Sequence, residues 1–320
     1  KIQIEGPDAE AFLGRLCTNN MKVQPGKVVY TALLNARGTF EADLVAMRRS
    51  QENYLIFVGT TSVKKDLAWF KNHLLPGEKV HLKDETESYA VLALAGPESS
   101  IIAKELGVNE LNELNYFHYT KVEIGGIPIE GMRISFVGEL GWELVFQADR
   151  AERVTGILLE AGVEPAGLFA QSSMRIEKRF AVMGNELDGD INPLEAGLEF
   201  AIDWTKDFLG REELLRIKDR DLSQCLVTLI LDDPESVPLG NEPVWKDDTI
   251  IGKTTSASFG YRVGSPVALA FLGKNSWDFK DEIRVQVDIA GKLFSGSVKY
   301  AAAFDPEGNR MREIPEVEVS

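Results

Sequence analysis

An internal repeat constrains this 320-residue chain more than any other feature. Ile2-Gln-Ile-Glu-Gly-Pro-Asp-Ala-Glu-Ala-Phe-Leu-Gly-Arg-Leu16 resembles Leu92-Ala-Leu-Ala-Gly-Pro-Glu-Ser-Ser-Ile-Ile-Ala-Lys-Glu-Leu106 at a constant 90-residue offset, with Gly6 matching Gly96 and Leu16 matching Leu106. Each copy reads as a strand, a Gly-Pro break and an amphipathic helix, because proline fits the first helical turn where its missing N–H would be unpaired anyway. The first copy continues with strands Val28–Leu34 and Phe40–Ala46 around the Asn35–Gly38 turn, then Tyr54–Val58. A helix follows, with Val63, Leu67, Phe70 and Leu74 near a 3.6 period. The second copy continues with strands near 121–129, a hairpin, and a helix at about 150–161 carrying Val154, Ile157, Leu158 and Ala161 on one face. Strand, helix, two strands, helix, strand, given twice, is the ferredoxin-like split βαβ plan. The expected fold class is α+β, with open antiparallel sheets and helices on one side of each.

Beyond the charged stretch Lys218–Asp221 the character changes. Short strands with turn signals run from Val227–Leu231 through Lys292–Ser297, which predicts a small β-barrel. The expected division is a first ferredoxin-like repeat over 1–89, a second over 90–220, and the barrel over 221–320, with the polar end Asp305–Ser320 partly frayed.

A composition with 44% hydrophobic residues supports sizeable cores, and the net charge of −15 argues against nucleic acid or an anionic membrane as the main partner. No apolar run approaches spanning length, so no membrane is expected as a partner. The chain opens on Lys1 in the middle of a strand pattern, with no leader, and further residues are expected in front. Cys17 and Cys225 make no disulfide framework, and His73, His81 and His118 are scattered, so no metal is expected. No G-x-S-x-G, G-x-G-x-x-G or P-loop pattern is present.

Three charged residues stand out against apolar surroundings. Arg133–Phe146 reads as two strands around a turn at Val137–Gly141, with Met132, Ile134 and Phe136 alternating before it and Trp142, Leu144 and Phe146 after it. Glu143 interrupts the second strand. It is either solvent-facing or aimed at a ligand, since an unpaired carboxylate is costly to desolvate. Asp43 lies likewise between Ala42 and Leu44, and is either an outward-facing acid or one that hydrogen-bonds a ligand nitrogen. On the helix expected over 167–179, Arg175 adjoins apolar positions. It is either a salt-bridge partner or a bidentate holder of an anion.

The stretches GPDAEAFLGRLCTNN, YTALLNARGTFEADL, RISFVGELGWEL, SMRIEK, NPLEAGLEF, KDFLGREEL and GKTTSASFGYRVGSPVALAFL together resemble the folate-binding aminomethyltransferase family typified by the glycine cleavage T-protein. GELGWEL is most similar to the tetrahydrofolate-binding half of the dimethylglycine and sarcosine dehydrogenases. The resemblance implies a three-domain cloverleaf around a central folate cavity. It implies transfer of a one-carbon unit, from a small methylated amine or its imine, to tetrahydrofolate. By motif, Asp43 falls on the acid that assists proton removal at the folate nitrogens, Glu143 on the glutamate that holds the pterin, and Arg175 and Tyr30 on pocket residues. Phe136 stands where the family commonly has tyrosine, and Ala42-Asp43 stands where the T-protein has paired aspartates. The oxidation would need FAD on a preceding half or a partner dehydrogenase subunit. The cytoplasm, or a eukaryote's mitochondrial matrix, is the expected compartment. The alternatives are a T-protein acting on an aminomethylated lipoyl carrier, and a non-catalytic folate-binding regulatory module.

Overall fold

The computed structural model describes residues 1–220, 222–273 and 282–313. The first unit comprises β1 (Ile2–Glu5), α1 (Ala9–Leu16), β2 (Val28–Leu34), β3 (Phe40–Ser50), β4 (Asn53–Phe57), α2 (Val63–Asn72) and β5 (His81–Asp84). Its sheet runs β2-β3-β4-β1-β5, which is the ferredoxin-like order with β2 added at one edge. The second unit comprises β6 (Tyr89–Ala95), α3 (Ser99–Glu105), β7 (Tyr119–Ile124), β8 (Ile127–Met132), β9 (Gly141–Gln147) and α4 (Ala151–Glu160), with sheet order β6-β9-β8-β7. The repeat therefore holds from β1 to α2. The closing strand expected for the second unit has no counterpart of β5 in that sheet among the described residues.

After α5 (Leu168–Glu177) and α6 (Arg211–Lys218), strands β10 (Gln224–Leu231), β11 (Pro243–Lys246), β12 (Thr249–Gly260), β13 (Ser265–Gly273), β14 (Ile283–Ile289) and β15 (Lys292–Lys299) close a barrel in the order β10-β13-β12-β11-β14-β15. The expected fraying of the tail is corrected as far as residue 313. A short helix, α7 (Asn309–Arg312), buries Met311, and Arg133 donates to the Arg312 carbonyl at 2.6 Å. Residues 314–320 of that expectation, and position 221 of the expected barrel, lie outside the described residues. No helix among the described residues is long and apolar enough to cross a membrane.

Strand alternation explains how the two units join. On β3, Ala42, Leu44 and Ala46 pack into the core beneath α1 and α2, which turns Asp43, Val45 and Met47 to the opposite face. On β9, Trp142, Leu144 and Phe146 pack beneath α3 and α4, which turns Glu143 and Val145 the other way. Those opposite faces meet. Val28, Met47 and Leu55 of the first sheet form one apolar cluster with Met132, Ile134 and Val145 of the second unit. Both sheets are thus buried on both faces, with helices outside and each other inside.

The strand expected over Arg133–Phe136 is a loop. β8 pairs with β9 only from Glu130–Val145 to Met132–Glu143, and with β7 only as far as Met132–Tyr119. The Arg133 backbone still pairs with Phe117 and His118, and its guanidinium donates to the carbonyls of Leu114 and Arg312; beyond it the chain leaves the sheet. The barrel holds this loop through Arg262, on the β12–β13 turn. Its guanidinium donates to the Val137 and Met174 carbonyls, pairs with Glu139 at 3.2 Å and with Glu177 at 2.5 Å, and lies over the Phe304 ring. Arg310 holds the other Glu139 oxygen at 2.9 Å. Helix, loop, barrel and tail thus converge on one cation.

Glu177 is fully buried, so removing its counter-ion leaves a sealed charge served only by the backbone N–H groups of residues 262 and 263. Arg262→Ala is expected to lower unfolding free energy by about 3 kcal/mol, read by urea denaturation. A loss under about 0.5 kcal/mol would show that the junction does not depend on this pair.

Candidate functional site

The facing sheets do not fill the space between them. A cavity of about 580 Å³ remains, lined by residues of β2, β3, β4, β6, β9, α2, α5 and the loops around Phe136 and Met183. Tyr30, Asp43, Phe136 and Glu143 all line it. Arg175 does not. It is 4% exposed and belongs to the barrel side of α5, where it pairs with the fully buried Glu186 at 2.9 Å and donates to the Phe180 carbonyl and the Ser256 hydroxyl. The structure thus places Arg175 outside this cavity, in the salt bridge that is one of its two readings. The physical reason is direction. Gln171, one turn earlier on α5, meets the cavity, whereas Arg175 is held by Glu186 and β12.

Asp43 accepts a hydrogen bond from the Tyr30 hydroxyl at 3.1 Å, across adjacent strands. Its pKa is pushed up from 3.8 to about 6, chiefly because it is buried, with the Tyr30 bond pulling in the other direction. The Tyr30 hydroxyl is held well above 10 by burial and by the Asp43 charge. Glu143 has no hydrogen-bond or ion-pair partner among the described residues, and burial alone raises its pKa from 4.5 to about 7. Both carboxyls keep some exposure to the cavity while being walled by protein elsewhere. Water in the cavity moderates the upward push, and an apolar occupant without donors would increase it.

Flat apolar surfaces flank the acids. Phe136 stacks on Phe180 with ring centroids 5.9 Å apart, and Tyr30 stacks on Phe200 at 5.8 Å. Val45, Val91 and Met183 complete the walls. Gln171, also on the lining, carries no signal in the sequence pattern. Val91 and Phe57 were readable only once the sheets were known to face each other. The two acids also do not occupy equivalent places in the repeat. Asp43 lies on β3, whose counterpart is β8, while Glu143 lies on β9, the counterpart of β4. They share a cavity because the sheets face each other, not because the hairpins are duplicates.

An isolated carboxylate on an apolar face has a measurable signature. Glu143 binds its proton more tightly folded than unfolded, so it lowers stability as pH rises from about 4.5 to about 7. Glu143→Gln in the ligand-free protein is expected to gain about 1–3 kcal/mol at pH 8 and nothing near pH 4, measured by thermal unfolding across that range. Equal effects at both ends would mean that the carboxylate is not desolvated.

Comparison with known proteins gives the same architecture a family. Residues 1–206 match the family model of the GCVT N-terminal domain, and residues 224–305 that of the glycine cleavage T-protein C-terminal barrel domain. The mitochondrial dimethylglycine dehydrogenase of Rattus norvegicus is 31% identical over 307 residues, which are 93% of this chain and 36% of that one. The chain thus spans about a third of the length of the dimethylglycine dehydrogenases it matches. The aminomethyltransferase of Halothermothrix orenii is 31% identical over 278 residues, 85% of this chain and 77% of that one. A crystal structure of glycine cleavage system aminomethyltransferase T from Bartonella henselae matches with a TM-score of 0.85 over 95% of this chain and 84% of that one, at 24% identity, a likeness of fold. The chain therefore belongs to the glycine cleavage T-protein family of aminomethyltransferases, transferases that act with tetrahydrofolate.

Proposed function

We propose that this chain binds tetrahydrofolate in the cavity between its two sheets and passes to it the one-carbon unit released when a small methylated amine, of the dimethylglycine or sarcosine type, loses a methyl group. The product is 5,10-methylenetetrahydrofolate. The observation that carries this reading is Glu143, a carboxylate on the cavity wall without a hydrogen-bond or ion-pair partner among the described residues. Such a group is retained at a cost unless something brings donors to it. A pterin edge does so, offering ring and amino N–H groups to an acceptor, while its flat face suits the walls around Phe136 and Val91. About 580 Å³ is within the usual range of roughly 300–1,000 Å³ for small-molecule sites.

Bound tetrahydrofolate supplies two nitrogens that take up a carbon at the formaldehyde level, losing protons as they do so. Asp43 is the group on this chain suited to accept a proton there, because an acid near pKa 6 is mostly ionised at neutral pH and still basic enough to be useful. Tyr30 orients the Asp43 carboxylate and holds its own proton, so it acts as a donor and not as a second base. Glu143 orients and Phe136 walls. The buried faces of both sheets limit water around the reacting carbon. An FAD-bearing dehydrogenase domain or subunit would deliver the imine, and the methylated amine would be chosen there.

Calorimetric titration with tetrahydrofolate tests this. Glu143→Ala is expected to weaken binding by about 1–3 kcal/mol. Asp43→Ala should keep binding and lower turnover by about 10²–10⁴-fold. Absence of binding by the wild-type chain overturns the proposal. Turnover with an aminomethylated lipoyl carrier, and none with the imine, transfers the same cavity to the T-protein reaction. Binding without either turnover leaves the regulatory reading.

A further inference from the structure

Lys1 is a cation that the proposed reaction does not use. Among the described residues it brings the one positively charged side chain to the cavity lining, beside the two acids. The chain carries a net charge of −15, so an anionic group entering this space finds no general field to draw it in and needs a local cation.

The fold sets Lys1 there. Ile2 and Ile4 pack beneath the helices, so alternation turns Lys1 to the cavity face of the first sheet. Register places it at the end of one row across that sheet. Tyr30 pairs with Val45, and Val45 with Phe57. The pairing of Ile2 with Ile56, continued by one position, sets Lys1 opposite Phe57. All four residues of the row line the cavity. Asp43 lies on the same face of β3, two residues from Val45, and at the spacings of a β-sheet its Cα is about 12 Å from that of Lys1. The Lys1 backbone is fixed, because its carbonyl accepts the Glu85 N–H at 2.9 Å and its main-chain nitrogen donates to the Thr86 hydroxyl at 3.1 Å.

The side-chain ammonium is only partly engaged. Nζ donates to the Thr86 carbonyl at 3.1 Å and makes no ion pair among the described residues. An ammonium carries three donors, so further N–H groups are open to a ligand. Asp84, whose charge is felt by Lys1, accepts the Thr86 N–H at 2.9 Å. Nor is Lys1 the counter-ion of the cavity acids. Burial alone raises the Glu143 pKa, and the groups acting on Asp43 do not include Lys1.

We propose that Lys1 is the carboxylate anchor of the cavity, a residue that binds the carboxylate of a ligand whose reacting end lies at Asp43. The identity of that ligand rests on the folate reading above. Two molecules of the proposed reaction carry the group. One is the amino-acid-type amine left when the one-carbon unit is transferred, and the other is tetrahydrofolate, through its glutamate.

The test is calorimetry of the wild-type chain, Lys1→Met and Lys1→Arg with three probes. These are tetrahydrofolate, a tetrahydropterin lacking the benzoylglutamate tail, and sarcosine added to the chain saturated with that tetrahydropterin. In Lys1→Met the affinity for a carboxylate-bearing probe is expected to fall by about 3–10-fold, with the tailless pterin unchanged within about two-fold, and Lys1→Arg is expected to restore it. Loss for sarcosine assigns the anchor to the amine, and loss for tetrahydrofolate alone assigns it to the glutamate. Equal affinities of wild type and Lys1→Met for both carboxylate probes overturn the inference. So does an equal loss for the tailless pterin, which would make Lys1 a structural support of the pocket. If the wild type binds neither pterin, the folate reading fails, and sarcosine added to the folate-free chain decides. Binding weakened in Lys1→Met then upholds the anchor, and binding unchanged or absent overturns it.

Discussion

Everything in this molecule depends on two sheets packed face to face. Each repeat unit on its own would bury one face under helices and leave the other wet. Here Met47, Leu55 and Val28 of one sheet meet Met132, Ile134 and Val145 of the second unit, so the open faces become an interior. Apolar burial of this kind is the main favourable term in folding, and it also creates the electrostatic condition of the site. A carboxylate on such a face is solvated only by what occupies the remaining space. Asp43 and Glu143 are therefore acids whose ionisation depends on an occupant.

The cavity wall is completed from outside the sheets. The loop 133–140 carries Phe136, and it is held by Arg262 of the barrel and by Arg310 of the tail through Glu139. Among the described residues the barrel contributes none of the cavity lining, yet it fixes the loop that does. Of the NPLEAGLEF stretch only Phe200 comes near the cavity, stacked on Tyr30. Asn192 caps the Leu194 and Glu195 N–H groups, and the Glu195 carbonyl accepts from Leu226 at the start of the barrel. The first part of that motif is a joint to the barrel.

Local periodicity made much of this legible. The repeat, the helix faces and the barrel follow from alternation and turn residues, which act over a few positions. Glu143 and Asp43 were visible as acids out of phase with apolar strands. Long-range choices were not legible. Ile134 and Phe136 alternate like strand residues, but the sheet ladder ends at Met132 and its last backbone pairing is that of Arg133 with Phe117 and His118. Arg175 reads from its pattern more readily as a salt-bridge partner than as a ligand holder, and the partner, Glu186, is known only from the fold. The polar tail reads as frayed because its anchor, Met311, is one apolar residue among charges.

The central claim is that Glu143 waits, partly protonated, for donors brought by the ligand. Accepting hydrogen bonds favours its ionised form, so tetrahydrofolate binding should expel a proton where the free acid is half-titrated. The direct measurement is calorimetry of that binding in buffers of different ionisation enthalpy. At pH 6.5 the account predicts release of roughly three-quarters of a proton per site, falling toward zero by pH 8.5, and release cut by at least about half in Glu143→Gln, where Asp43 alone remains. A binding enthalpy independent of buffer at pH 6.5, or proton release undiminished in Glu143→Gln, would contradict it.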